Sequence, residues 1–404
     1  MLARVEEHGA HAARLLADAL PATRELVLGS LRWQLTLDYL LKPHLRRPLT
    51  SLDPPLRAAL RCGLYEAKRM GTPTAVAVSE AVRVAKELSL RGAGLVNAVL
   101  RRAAAAPWPD LGDESIPLAV RFSHPSWLVE RWQTFLGREM ALDVLAADQE
   151  RAPLCLLAAA TRRAELEKAG CRLEEHPHVP GVLVCREGSA AAVAALRAGR
   201  AYAMDPTAVL VARLLPEVAG TVVDLAAAPG GKSLVLAAER GFAHHVALDR
   251  HLGRSLLMRG NLAGTRAPVA IAVADAGAAP LRAGTCAAVI LDAPCSGTGT
   301  LRRHPEIRWR FRPEELAGLA ATQRPLARAA AELVAPGGFL LYATCSLEPE
   351  ENAGVVGGLG LTPVEVNELL PADVPRVGLA SGGTLIAPSA WGDGFTVHLF
   401  RRGS

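Results

Sequence analysis

The sequence contains no uninterrupted apolar run near twenty residues, although half of its 404 residues are apolar. A helix needs about twenty such residues to cross a bilayer, so no membrane span is expected. The opening stretch carries Glu6, Glu7 and His8 where a secretory leader would need an apolar core. Export is therefore not expected, and the anticipated location is cytoplasmic. Seven cysteines are scattered without a CxxC pair. That spacing argues against a zinc module or a disulfide framework, fits a reducing compartment, and leaves no metal site to expect. Most of these cysteines should be small buried hydrophobes. No extended heptad seam argues for self-association, so the expected state is a monomer.

The chain exceeds one typical core, which favours two or three domains. Its formal net charge of +5 is unevenly spread. Residues 1–106 carry 16 Lys and Arg against 9 Asp and Glu, a surplus of seven, while the remainder carries 29 against 31. A positive front hints at an anionic partner.

That front reads as helices. Leu56, Leu60 and Leu64 recur at helical spacing behind Asp53 and Pro54, an N-cap followed by a first-turn proline. Val78, Ala81, Val82, Ala85 and Leu88 form a second stripe, and Gly92 and Gly94 are expected to break the pattern before Leu95–Arg102. Residues 1–106 thus form an all-α bundle, 107–125 a proline- and glycine-bearing linker, and 126–200 a small α+β adaptor with a helix at Ala190–Leu196 and an apolar run at Val182–Cys185. From 201 to 404 the style changes. β-type runs at Thr221–Leu225, His245–Leu248, Ile271–Ala274, Ala287–Leu291 and Gly338–Ala343 alternate with helical stretches, the pattern of a parallel α/β sheet. Ligands in such sheets bind at the carboxyl ends of strands.

Chemistry-bearing residues follow those ends. Asp224 closes the first run and precedes Ala226, Ala227, Ala228, Pro229, Gly230, Gly231 and Lys232, where glycines admit a ligand close to the backbone and a helix begins. Asp249 lies about twenty residues beyond, the offset at which an acid holds the ribose of an adenosine cofactor. Asp275 closes a third run and faces a possible adenine. A Walker loop is disfavoured, because its first glycine would stand at Ala226. Taken alone, the loop is equally a plain turn between strand and helix. A fourth run delivers Asp292, Ala293, Pro294, Cys295, Ser296 and Gly297, and a fifth delivers Thr344, Cys345 and Ser346. One cysteine would ordinarily be packing, but two at two strand ends on one sheet edge point to a reacting substrate.

The blocks 226–233, 292–299 and 343–352, with Val96–Arg101, Phe122–Trp127 and Asp393–Phe395, make the chain resemble the Sun (Fmu) family of RNA cytosine-5 methyltransferases. The resemblance implies an all-α NusB-like RNA-binding domain joined to an α/β Rossmann-like methyltransferase domain. It implies S-adenosyl-L-methionine as methyl donor and small-subunit ribosomal RNA as partner. It also makes Cys345 the nucleophile and Cys295 the residue that assists product release. Residues 226–232, Asp249, Asp275 and Asp292 correspond to the cofactor and active-site positions. Ala226 stands where the family usually has cysteine, and Ala203–Thr207 replaces a block that usually carries Gln-Asp followed by Ala-Ser. Transfer RNA as substrate, or a non-catalytic RNA-binding assembly factor, are the alternatives.

A thiolate suits such a reaction. Carbon 5 of cytosine attacks a sulfonium methyl only after a soft nucleophile adds at carbon 6, and a carboxyl such as Asp292 near the ring nitrogen and amino group would stabilise the adduct. Arg302–Arg312 interleaves arginines with Trp309 and Phe311 and reads as an RNA contact rather than an anchored loop. Lys232 is equally a ligand contact or a loop cap. His124 reads as a structural turn pinning the linker to the catalytic half, and Arg46-Arg47 and Arg101-Arg102 as solvated surface or RNA backbone contacts.

Overall fold

Leu56, Leu60 and Leu64 lie on one buried face of the helix Pro54–Arg69. Pro54 opens it, giving up an amide that no earlier turn could have paired, while the Asp53 side chain makes no capping hydrogen bond. The computed structural model describes residues 1–404 except 9–11, 17, 89, 159, 241, 264 and 266. Its contacts divide the chain into two units, Met1–Arg151 with Leu301–Phe311, and Ala152–Thr300 with Arg312–Ser404.

The first unit is helical. Pro21–Arg32, Gln34–Leu41, Pro54–Arg69, Thr74–Leu88 and Leu90–Ala103 supply its main elements, with Leu37, Leu41, Leu60, Leu64, Val96 and Leu100 in one core. Gly63 allows the close approach, since a Cβ there would meet Ala81 Cβ and Leu100 Cδ1 at 2.7 Å. Gly92 and Gly94 do not break the pattern as expected: the helix Leu90–Ala103 runs through both. A glycine costs about 1 kcal/mol against alanine in a helix, less than burial of Val96, Val99 and Leu100 contributes.

The contacts group the chain differently from the boundaries expected at 106, 125 and 200. Helices Ser126–Leu136 and Arg138–Ala147 fall in the helical unit. Residues read as a linker are tied down there, with Thr36 Oγ1 donating to Val120 O at 2.6 Å and Leu35 N to Ser123 Oγ at 2.9 Å.

The second unit holds two sheets. Strands β1 (Leu154–Leu157), β2 (Arg172–Glu175), β3 (Val182–Glu187) and β4 (Tyr202–Ala203) form an antiparallel sheet in the order β2-β3-β1-β4. The larger sheet comprises β5 (Thr221–Asp224), β6 (His244–Asp249), β7 (Val269–Val273), β8 (Cys286–Asp292), β9 (Val334–Thr344), β10 (Thr362–Val364), β11 (Arg376–Gly378), β12 (Thr384–Ile386) and β13 (Phe395–Arg401). Its order is β7-β6-β5-β8-β9-β13-β12-β11, and β10 pairs with β13. The pairings from β7 through β9 are parallel, whereas β13 runs antiparallel to β9. From β5 the chain builds outward to β6 and β7, then returns to β8 on the other side. That reversal places a ligand crevice at the carboxyl ends of β5 and β8.

Candidate active site

At the end of β5, Asp224 is buried, and Ser233 Oγ donates to its Oδ2 at 2.8 Å. Its Oδ1 is also buried but has no hydrogen-bond partner. Burial pushes this carboxyl up to about 7, against the hydrogen bond from Ser233 and the charge of Lys232. The loop that follows is held by Ala227 N donating to Leu248 O at 2.8 Å and Gly230 N to Ala227 O at 2.7 Å. Gly230 sits at φ +101°, a region that favours glycine, and passes the chain into the helix Gly231–Glu239. Arg254 donates to Ala228 O, and Asn261 Nδ2 to Pro229 O at 2.8 Å, so the loop is braced from the next helix, Leu252–Asn261.

Asp249 ends β6 almost buried, its Oδ1 accepting from His251 N at 2.9 Å and its Oδ2 lying 3.5 Å from Arg254. Asp275 follows β7, is exposed, and accepts from Gly277 N at 2.7 Å. Both acids therefore stand at carboxyl ends of strands on the β5 side of the crevice.

The cysteines follow β8 and β9, which are adjacent and parallel. Cys295 Sγ and Cys345 Sγ are 3.4 Å apart, each partly exposed. The hydrogen bond with Cys345 holds the Cys295 thiol well above the ordinary thiol range, reinforced by burial and by the charges of Glu351 and Asp292. Cys295 is therefore a protonated thiol at neutral pH. Gly299 crosses close by: its N donates to Cys345 O at 2.9 Å, and a Cβ there would stand 2.3 Å from Gly394 O. Only a residue without a side chain fits between the two loops.

Glu351 joins those loops and was not singled out by sequence reasoning. Fully buried, it accepts from Ser296 N at 2.8 Å, Ser296 Oγ at 2.5 Å, Ser346 Oγ at 2.5 Å and Gln323 Nε2 at 3.0 Å. A buried carboxylate survives desolvation only when its oxygens are satisfied in this way. Each of the two serines lies one residue beyond a cysteine, so Glu351 ties both thiol-bearing turns to one point. The only sequence signal for it was its place inside the 343–352 block.

Lys232 Nζ lies 2.5 Å from Asp292 Oδ2 and 5.2 Å from the centre of the Phe395 ring. Burial opposes its charge, yet Asp292 and then Asp224 hold its pKa above the ordinary lysine value. The Asp393–Phe395 turn is anchored by the unusual block upstream: Asp205 Oδ1 accepts from Thr207 N at 2.9 Å and from Asp393 N at 3.0 Å. Ala203–Thr207 thus clasps the segment that brings Phe395 to Lys232.

Within Arg302–Arg312, three of the residues expected to contact RNA are instead held inside the helical unit. Arg308 is buried in the helical unit and donates to the carbonyls of Ser123 at 3.1 Å, Asp148 at 3.2 Å, Arg32 at 3.3 Å and Leu301 at 3.4 Å. Trp309 Nε1 donates to Leu31 O at 2.6 Å, and Phe311 packs on Trp127 with ring centres 5.9 Å apart. The anchored-loop reading prevails for these three residues. His124 is also structural: its Nε2 meets Asp148 Oδ2 at 3.2 Å, within the helical unit. Burial drives its pKa well below the ordinary value, so it stays neutral.

Comparison with known proteins agrees with this architecture. Residues 211–397 match the family described as 16S rRNA methyltransferase RsmB/F, and residues 3–105 match the NusB family. Ribosomal RNA small subunit methyltransferase B of Thermus thermophilus is 35% identical over 379 residues, covering 93% of this chain and 87% of that protein. Its counterpart in Pseudomonas putida is 31% identical over 389 residues, with 92% and 88% covered. The crystal structure of PH0851 superposes with a TM-score of 0.75 at 26% identity, covering 96% of this chain and 93% of that one. With a NusB-family helical region in front and this sheet behind, the chain belongs to the RsmB/F family and is an RNA methyltransferase.

Proposed function

We propose that the enzyme methylates carbon 5 of a cytosine in small-subunit ribosomal RNA, with S-adenosyl-L-methionine as donor and Cys345 as covalent nucleophile. The observation that carries the reading is the pair of thiols 3.4 Å apart at the ends of adjacent strands, beside the crevice at the β5–β8 reversal. The ribosomal substrate is supported by the names of the relatives and by the basic front of the chain. We place the enzyme in the cytoplasm as a monomer; among the described residues no helix is long and apolar enough to cross a membrane.

The residues present fit the donor. Asp224 offers a buried carboxyl oxygen with no partner, and Gly230 and Gly231 leave the helix start open to an approaching ligand. Residues 226–232 with Asp249, Asp275 and Asp292 would hold it, Asp249 at the ribose hydroxyls. Bound there, it supplies an electrophilic methyl group.

The chain's own groups do the rest. The Cys345 thiolate forms a bond to carbon 6 of the cytosine, and the displaced π pair loads carbon 5. Asp292, oriented by Lys232, faces the ring nitrogen and amino group and steadies the adduct. After methylation a base or ordered water takes the proton from carbon 5, and the returning electron pair breaks the sulfur–carbon bond. Cys295, held as a thiol, assists that release.

Incubation with unmodified small-subunit ribosomal RNA and labelled adenosylmethionine, followed by mapping of 5-methylcytosine, tests the reading. Wild type should label one cytosine and Cys345→Ala none. Persistent labelling by Cys345→Ala would remove the nucleophile assignment, and labelling of transfer RNA alone would change the substrate.

A further inference from the structure

One face of the helical unit carries a cavity of about 540 Å³ beside the helix Gln34–Leu41 and the turns Lys42–His44 and Leu49–Ser51. Tyr39, Lys42, Arg46 and Arg47 surround it, over an apolar floor that includes Leu35 and Leu49. Tyr39 leaves 43% of its surface in water, and no other ring stacks on it among the described residues. The three cations are exposed and make no ion pair or side-chain hydrogen bond among the described residues. Asp38 supplies the carboxylate of the lining, but Arg61 already holds it through hydrogen bonds of 2.7 and 2.6 Å. The face therefore presents about three uncompensated positive charges around an open aromatic ring.

We propose that this face binds a single-stranded segment of RNA, with an unpaired base on the Tyr39 ring and backbone phosphates on Lys42, Arg46 and Arg47. The proposal rests on the reading of the substrate as RNA and adds where, outside the catalytic crevice, the strand is held. Charge complementarity selects a polyanion. The exposed ring and apolar floor select an unstacked base, because a duplex hides its base faces. Pro43 and Pro48 bracket the arginines and restrict the backbone that carries them, so less order is lost on binding.

The test uses the full-length protein with a short labelled polyuridine strand, a hairpin of equal length and small-subunit ribosomal RNA, all across a salt series. Tyr39→Ala should weaken single-strand binding about tenfold with its salt dependence intact, and Tyr39→Phe should restore affinity. Replacing Lys42, Arg46 and Arg47 together by alanine should reduce the slope of log K against log salt by about 2. On ribosomal RNA both sets should raise KM and leave kcat in place. Unchanged affinity in Tyr39→Ala and an unchanged slope in the triple variant would overturn the proposal, as would preferential loss of hairpin binding. Loss of binding to a ribosomal protein with RNA affinity intact would assign the face to a protein partner and overturn it equally. Should wild type methylate no RNA while the variants still lose single-strand affinity, the catalytic reading fails and this one stands.

Discussion

Cys295 and Cys345 are fifty positions apart in the chain, yet their sulfurs lie 3.4 Å from one another because β8 and β9 are parallel neighbours. Cys295 is held protonated by that contact, by burial and by nearby carboxylates, so it is poorly suited to attack and well suited to donate a hydrogen bond. In Cys295→Ala the first addition should proceed and release should stall. A protein–RNA band resistant to denaturant and dependent on Cys345 is the expected result on a denaturing gel; its absence in Cys295→Ala would deny Cys295 a part in release.

Glu351→Ala should cost about 3 kcal/mol or more, since it strands the donors of Ser296, Ser346 and Gln323 in a buried site. Glu351→Gln retains the shape and one acceptor and should cost less. Denaturant midpoints give the order of the two variants. Equal stability of Glu351→Ala and wild type would mean that the carboxylate does not hold the loops.

The Asp224 carboxyl titrates near 7 in the folded chain against 3.8 as the ordinary value, chiefly through burial. Because the folded pKa is raised, its favourable contribution is full below about 3.8 and is lost as pH rises through about 7. Asp224→Asn should remove that loss. Its stability relative to wild type should grow between pH 4 and pH 8, by at most about 4 kcal/mol, in urea unfolding followed across that range. A difference that does not vary with pH would contradict the shift.

Arg308→Ala should lower stability by about 3 kcal/mol or more, and Arg308→Lys should not restore it, because a lysine cannot span the four carbonyls that the guanidinium reaches. An RNA-contact role would show the reverse, weaker RNA binding with unaltered unfolding. Measuring both on the same variants separates the readings.

Much of the catalytic sheet was legible because its signals are local. Each β-type run from Thr221 to Ala343 ends in a residue type that reports the strand's rim, and all five runs are strands within a few residues of their expected ends. The loop 226–232 and both cysteines lie where the strand order predicts. Glu351 was hidden for a physical reason: its partners come from three separate segments, and nothing in their spacing shows that they converge. Arg308 misled because arginine beside aromatics looks the same whether the guanidinium meets phosphates or buried carbonyls. Gly92 and Gly94 misled because a helix tolerates glycine when its other face is well buried.

Leu301–Phe311 belongs to the helical unit although about 150 residues of the other unit precede it. During synthesis from the N-terminus, the helices before Arg151 emerge first, without the side chains of Arg308 and Trp309 that later join Ser123, Asp148 and Leu31. The unit that begins the chain therefore cannot complete its packing until most of the second unit has been made. A truncation after Arg151 therefore leaves a helical fragment lacking part of its own interior.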